Sequence, residues 1–240
     1  MNLTDLKEAW RNDAYVNKGI HDRFKALVEA DGELNAHRQW VESHIFGFGE
    51  KAFHWLHKIV VDEMPESFSF LEIGGFRMQV VTLYALLARR SNRTVSRFCV
   101  SPMNTTNVGG VPFWESDYFS DSISIHSAFS LVNDYKLFHG LSTDPEIFAA
   151  AAMSSPYDVV YIDGGHDYPT VKADMQNYTQ LVKPGGYLIV DDCSNNLKMW
   201  PGCFPGIYSV SKAVDEFMST QNDFEHLGAV MHNRIWKRKA

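Results

Sequence analysis

The sequence predicts an α/β protein: a doubly wound, mostly parallel sheet preceded by a helical extension over residues 1–65. Three observations carry this. Up to Pro65 apolar residues recur at helical spacing. From Phe68 onward short apolar runs alternate with amphipathic stretches. Several of those runs end in glycine or an acid, the punctuation of a strand entering a loop. The composition agrees: 240 residues, 45% hydrophobic and 21% charged, suit a globular chain with a sizeable core. Collagen-like, low-complexity and disordered classes are excluded.

In the N-terminal part, Phe24, Leu27 and Val28 share a helical face, as do Ala52, Trp55, Leu56, Ile59 and Val60. Asp31 with Gly32, and Gly47 to Gly49, read as hinges. Pro65 ends the region, because a proline pushes the residue before it out of the α conformation. Residues 68–73 form a buried strand that runs into Gly74 and Gly75. A helix over 77–90 and a strand over 94–100 follow. Between 102 and 134, Pro102, Gly109, Gly110 and Pro112 break the pattern, and only a short strand at 122–126 is suggested. Residues 135–139 form a strand ending at Gly140, with His139 as a core histidine. Asp144 and Pro145 open a helix, as N-cap and first helical residue.

Residues 157–162 form an apolar strand ending in Asp163, Gly164 and Gly165. A helix over 170–181 is closed by Lys183, Pro184, Gly185 and Gly186. The next strand, 187–190, ends in Asp191 and Asp192. A loop rich in proline and glycine leads to a helix over 209–219 and to strand-like runs at 224–231 and 234–236.

The net charge of −7 argues against sequence-independent nucleic-acid binding, which needs clustered Lys and Arg. Lys237, Arg238 and Lys239 read as a solvated tail. Cys99, Cys193 and Cys203 fit neither a disulfide framework nor a zinc-site spacing, so a reducing, cytoplasmic setting is expected. The polar N-terminus and short apolar runs predict a soluble chain without a signal peptide or membrane span.

In open parallel sheets ligands bind beyond the carboxyl ends of the strands. The residues there are Glu72, Gly74, Gly75, Ser101, Gly140, Ser142, Asp163, His166, Asp191 and Asp192. Gly74 and Gly75 let a ligand approach the backbone, although a tight turn explains them equally well. If the strands before Asp163 and Asp191 are neighbours, three carboxylates converge and repel unless a cation sits among them. Oxygen ligands suit Mg2+, Mn2+ or Ca2+. The alternative is that these acids only cap loops. His166, on a glycine-flanked loop beside them, is a candidate general base.

The run 71–75 resembles the first motif of class I S-adenosylmethionine-dependent methyltransferases. The runs 157–168 and 181–192 resemble, more specifically, the Mg-dependent sugar O-methyltransferase branch of macrocin, mycinamicin and novobiocin type, which also holds the cephalosporin-pathway methyltransferase subunit. Residues 139–142 and 204–215 resemble further segments of that branch. The resemblance implies a Rossmann-like fold and a metal held by Asp163, Asp191 and Asp192, with His166 as base and Asp163 also at the catalytic centre. It implies S-adenosylmethionine held by Glu72, Gly74, Gly75, Ser101, Gly140, Ser142 and Asp163, and a sugar or glycan hydroxyl as acceptor. Phe76 to Gln79 replace the usual glycine-rich end of the first motif. Ser101 stands where an acid commonly grips the ribose, and Leu141 where an acid is frequent near the adenine. Two further readings therefore stay open: a catalytically silent partner subunit, and a catechol-type O-methyltransferase. Trp200, Phe204 and Tyr208 are candidates for an acceptor wall. The N-terminal helices are expected to lid the site or to make a homo-oligomer contact.

Overall fold

The computed structural model describes residues 1–44, 46–103 and 117–240. Four helices come first: α1 (Leu3–Ala9), α2 (Ala14–Ala30), α3 (Gly32–His44) and α4 (Lys51–Asp62). Their starts are written in the sequence. Asn2 and Asp5 form a reciprocal capping box on α1, and Asp13 caps α2 through the N–H groups of Tyr15 and Val16. The alternating part is β1 (Ser67–Ile73), α5 (Gln79–Arg90), β2 (Thr94–Ser101), α6 (Tyr118–Ala128), β3 (Lys136–His139), α7 (Pro145–Ala152), β4 (Tyr157–Ile162), α8 (Tyr168–Tyr178), β5 (Val182–Val190) and α9 (Tyr208–Met218). A hairpin of β6 (Phe224–Val230) and β7 (Asn233–Arg238) completes it.

The strand order is β3-β2-β1-β4-β5-β7-β6. The first five run parallel, and β7 enters antiparallel between β5 and β6. Both faces are covered, as parallel sheets require. Phe70, Val159, Tyr161 and Ile189 point to the side of α4 and α5, where Leu56, Ile59, Tyr84 and Leu86 are buried. Leu71, Val160, Ile162 and Leu188, one residue out of step, face α8 and α9. Phe24, Val28, Ala52, Leu56, Ile59 and Val60 join the first of these layers, so the N-terminal helices share a core with the sheet. None of the described helices is long and apolar enough to cross a membrane. The three cysteines are free.

Four local expectations need correction. Residues 122–126 belong to α6, not to a strand. In a strand Ile123 and Ile125 would share a face, yet Ile123 is 56% exposed and Ile125 fully buried. Ser122 and His126, one turn apart, are buried together, and Asp117 caps the helix. His139 is exposed, with Nε2 2.9 Å from the Pro102 carbonyl, because β3 is the edge strand. Helix α8 gives way to a short 3-10 turn at 179–181, and Lys183 to Gly186 already lie in β5. Lys237 and Arg238 are strand residues of β7, with Arg238 bonded to Asp223 and to the Val182 carbonyl. Gly109, Gly110 and Pro112 lie outside the described residues.

Candidate active site

The carboxyl ends of β1, β2, β4 and β5 open into one cavity of about 530 Å³. Gly74 turns the chain out of β1 with φ of +95°. A Cβ there would stand 1.8 Å from the Asp163 carbonyl oxygen, so the turn lies directly against the end of β4. Behind it Glu72 is buried, and its Oε2 accepts the Val81 N–H at 3.1 Å. Burial outweighs that bond and raises its pKa to about 8. Ser101 ends β2, its Oγ accepting the Met103 N–H at 3.2 Å. Ser142 follows β3, its carbonyl taking the Tyr178 hydroxyl proton at 2.9 Å.

The acids meet because β4 and β5 are hydrogen-bonded neighbours with Ile162 opposite Val190. Asp163 and Asp191 therefore leave the sheet side by side. The Tyr161 hydroxyl lies 3.1 Å from Asp191 Oδ2 and 3.3 Å from Asp163 Oδ2. One phenolic proton shared between two carboxylates satisfies neither fully. Burial, then the charges of Asp191, Asp192 and Glu72, push the Asp163 carboxyl well above its ordinary range. Asp192 is raised to about 6 by burial and by Asp191. Asp191 Oδ1 accepts from Asn233 Nδ2 at 2.7 Å and from the Asp192 N–H at 2.9 Å. Asp192 is left-handed, with φ of +53°, and its carbonyl is held by the Ile207 N–H at 2.8 Å.

Two histidines complete the group. His166 Nε2 lies 3.5 Å from Asp192 Oδ2, and its backbone carbonyl takes the Ser209 hydroxyl at 2.6 Å. His232, between β6 and β7, places Nε2 3.4 Å from Asp191 Oδ1 and 3.9 Å from Asp192 Oδ1. Asp191, Asp192 and His232 each offer a ligand atom within 4.8 Å of the others. Crowded carboxylates with raised pKa values, beside an imidazole nitrogen, suit a divalent cation, which would remove the repulsion.

Of the residues singled out in the sequence, Glu72, Gly74, Ser101, Ser142, Asp163, His166, Asp191 and Asp192 line this one cavity. Gly75 and Gly140 do not line it. Gly75 packs towards Cys99, where a Cβ would come 2.3 Å from its sulfur, and Gly140 abuts Ile147. Asp163 stands outside the tight triple, linked to it through Tyr161. Among the aromatics of the 193–208 loop, Phe204 lines the cavity. Trp200 instead packs beside His21, and Tyr208 is 64% exposed.

Three features escaped the sequence reading. The segment from Phe46 to Gly49 forms part of the wall. Arg38, nearly buried, pins it through the carbonyls of Phe48 and Gly49, at 3.1 and 2.7 Å. The paired glycines there were the available signal. His232 is the second. The third is Asp174 on α8, fully buried beneath Gly164.

Neither Asp174 oxygen has a partner in good hydrogen-bond geometry. Burial raises its pKa to about 7 against a lesser lowering by the nearby Ser142 hydroxyl. A carboxyl whose pKa is raised in the folded state carries no ionisation penalty below the unfolded pKa; the penalty grows as pH rises from the unfolded pKa to the folded one and then levels off. Asp174→Asn should therefore match the wild type near pH 4 and melt several degrees higher near pH 8. Thermal melts across pH check this; a pH-independent difference would contradict it.

Residues 71–193, just over half of the chain, match the Methyltransferase domain family. Uncharacterized protein R132 of Acanthamoeba polyphaga mimivirus is 21% identical over 202 residues, covering 81% of this chain and 83% of that protein. Among solved structures, the SAH-bound methyltransferase PaMTH1 of Podospora anserina superposes with a TM-score of 0.60 at 15% identity, over 91% of this chain and 94% of that one. The MycE methyltransferase of the mycinamycin biosynthetic pathway, solved with Mg, SAH and mycinamycin VI, gives 0.54 at 15% identity, over 86% of this chain and 54% of that one. Such identities speak for the fold. The family match itself runs from β1 through β5 and spans Gly74 and the three acids, so the chain belongs to the Methyltransferase domain family and is a methyltransferase with the S-adenosylmethionine-dependent class I fold.

Proposed function

We propose that the protein is a divalent-metal-dependent O-methyltransferase acting on a sugar or glycan hydroxyl, with Mg2+, or Mn2+ or Ca2+, as the metal. The observation that carries this is the convergence of Asp163, Asp191, Asp192 and His166 on the cavity that also holds Glu72, Gly74, Ser101 and Ser142. The Gly74 turn, the Glu72 carboxyl behind it, Ser101 and Ser142 would hold S-adenosylmethionine. In this reading residues 1–65 serve as a lid through the Phe46 to Gly49 segment, and 66–240 form the catalytic domain.

Asp163, Asp191 and Asp192 would hold the cation. When bound, it supplies orientation and a lowered pKa to a chelating acceptor hydroxyl. His166, half-exposed on the cavity wall, takes the hydroxyl proton, and the Asp192 carboxylate 3.5 Å away stabilises the resulting imidazolium. His166→Ala is expected to lower the methylation rate about 10²–10⁴-fold with much less change in acceptor affinity. A rate unchanged across pH would count against its role as base.

The aromatic wall of Phe46, Phe48, Phe76, Tyr118 and Phe204 favours a second reading, a catechol-type acceptor. The test begins with calorimetric titration of S-adenosylmethionine and S-adenosylhomocysteine, with and without Mg2+. A labelled-methyl screen of deoxysugars and glycans against catechols follows. Binding with turnover of a sugar supports the proposal, and turnover of catechols alone replaces it with the second reading. Absence of cofactor binding under every condition would leave a silent partner subunit.

A further inference from the structure

The hairpin between β6 and β7 brings into the acid cluster a side chain that the three carboxylates do not account for. His232 is 5% exposed. Its backbone carbonyl accepts the Cys193 N–H at 3.0 Å, which ties the hairpin to the segment just beyond Asp191 and Asp192. The ring is clamped edge-on between Phe53 and Phe204, with centroids at 4.7 and 5.2 Å. Its two nitrogens face different surroundings. Nδ1 lies 3.4 Å from the Phe204 carbonyl, and Nε2 faces Asp191 Oδ1 at 3.4 Å and Asp192 Oδ1 at 3.9 Å. Metal-ligating histidines are oriented in this way, with one ring N–H given to a backbone carbonyl and the other nitrogen aimed at the ion.

Resting on the metal-dependent reading above, we propose that His232 is a metal ligand, which makes this a mixed nitrogen and oxygen site that selects Mn2+, Fe2+ or Co2+ over Mg2+ and Ca2+. Mg2+ and Ca2+ are hard ions served by oxygen, and an imidazole adds little to their binding. First-row transition ions gain from it, Mn2+ least and Fe2+ and Co2+ more. The separations suit neighbouring ligands of one ion, and the aromatic clamp holds the ring where it stands. The competing role for His232 is a protonated counter-ion to Asp191 and Asp192. A counter-ion would oppose cation binding, so the two roles predict opposite effects of removing the ring.

The experiment uses the full chain stripped of metal. Free Mn2+ is followed by electron paramagnetic resonance during titration, and Mg2+ is then used as competitor. The wild type should hold Mn2+ at least about tenfold more tightly than Mg2+. His232→Ala should weaken Mn2+ by roughly 10–100-fold while Mg2+ affinity changes little. Electron spin echo modulation from histidine nitrogen on bound Mn2+ should vanish in His232→Ala and persist in His166→Ala. The His232→Gln variant, closer in size, repeats the comparison if the alanine variant melts early. Unchanged or tighter Mn2+ binding without the ring overturns the assignment, as does nitrogen modulation that depends on His166 alone. In those cases the metal-dependent reading survives. If the wild type binds no Mn2+ at all, that reading falls and this assignment with it.

Discussion

Asp191→Ala and Asp192→Ala are each expected to lower methyl transfer at least about a thousandfold while S-adenosylhomocysteine still binds. The size follows from the several kcal/mol that a divalent ion contributes to orienting and acidifying a hydroxyl, at about 1.4 kcal/mol per tenfold in rate. The selectivity follows from geometry, because Glu72 on β1 and the Gly74 turn just after it lie outside the Asp191, Asp192 and His232 triple. The two variants should differ in stability. Asp191 accepts from Asn233 and from the Asp192 N–H, so removing it strands those donors at about 1–3 kcal/mol each, while the Tyr161 hydroxyl keeps Asp163 as acceptor. Asp191→Asn keeps the shape and separates lost charge from lost packing. At Asp192 the left-handed backbone disfavours alanine, and Asp192→Asn is the matching control because asparagine tolerates that conformation. Calorimetry with metal and with S-adenosylhomocysteine, and rates on the screened acceptor, provide the readouts. Metal-dependent turnover retained in both alanine variants would sink the metal assignment.

The acid centre was legible because its signals are local. Two apolar strands each end in aspartate, and parallel pairing of neighbours sets Ile162 beside Val190. The glycine-flanked position of His166 was equally plain in the sequence. What escaped notice depends on tertiary arrangement. The run 224–231 reads as one strand, but Met231 takes φ of +51° and turns the chain, so His232 faces the cluster. Nothing local specifies that β7 inserts antiparallel beside β5, and that insertion is what carries His232 there. Ile123 and Ile125 mimic strand alternation, and only the burial of Ile125 with Val41 and Phe46 shows a helix packed on α3. Asp174 looks like an ordinary polar helix residue, and the Gly164 loop covers it. Gly140 follows its strand as expected yet faces Ile147 on α7 instead of the cavity, a direction that composition does not encode.

Gly74→Ala is the substitution with the largest expected structural effect. Its φ of +95° disfavours any side chain, by about 1–2 kcal/mol. A Cβ would also fall 1.8 Å from the Asp163 carbonyl oxygen, which is backbone and cannot swing aside. Overpacking of that kind adds about 1–3 kcal/mol. Together these predict a melting temperature lower by about 5–20 °C. The functional loss should be coupled to it. The Asp163 N–H bonds the Ile73 carbonyl at 2.8 Å, and the Gly74 N–H bonds the Val100 carbonyl at 2.9 Å. Pushing Gly74 away from β4 therefore moves the start of the acid loop and opens the cofactor turn together. S-adenosylhomocysteine affinity should fall even well below the new melting temperature. Gly185→Ala is the control, since Gly185 has φ of +80° but nothing within 4 Å of its would-be Cβ. It should show the backbone cost alone, about 2–8 °C, with ligand binding intact. If the two variants melt together and bind alike, the close approach of β1 to β4 is not what shapes the cofactor site.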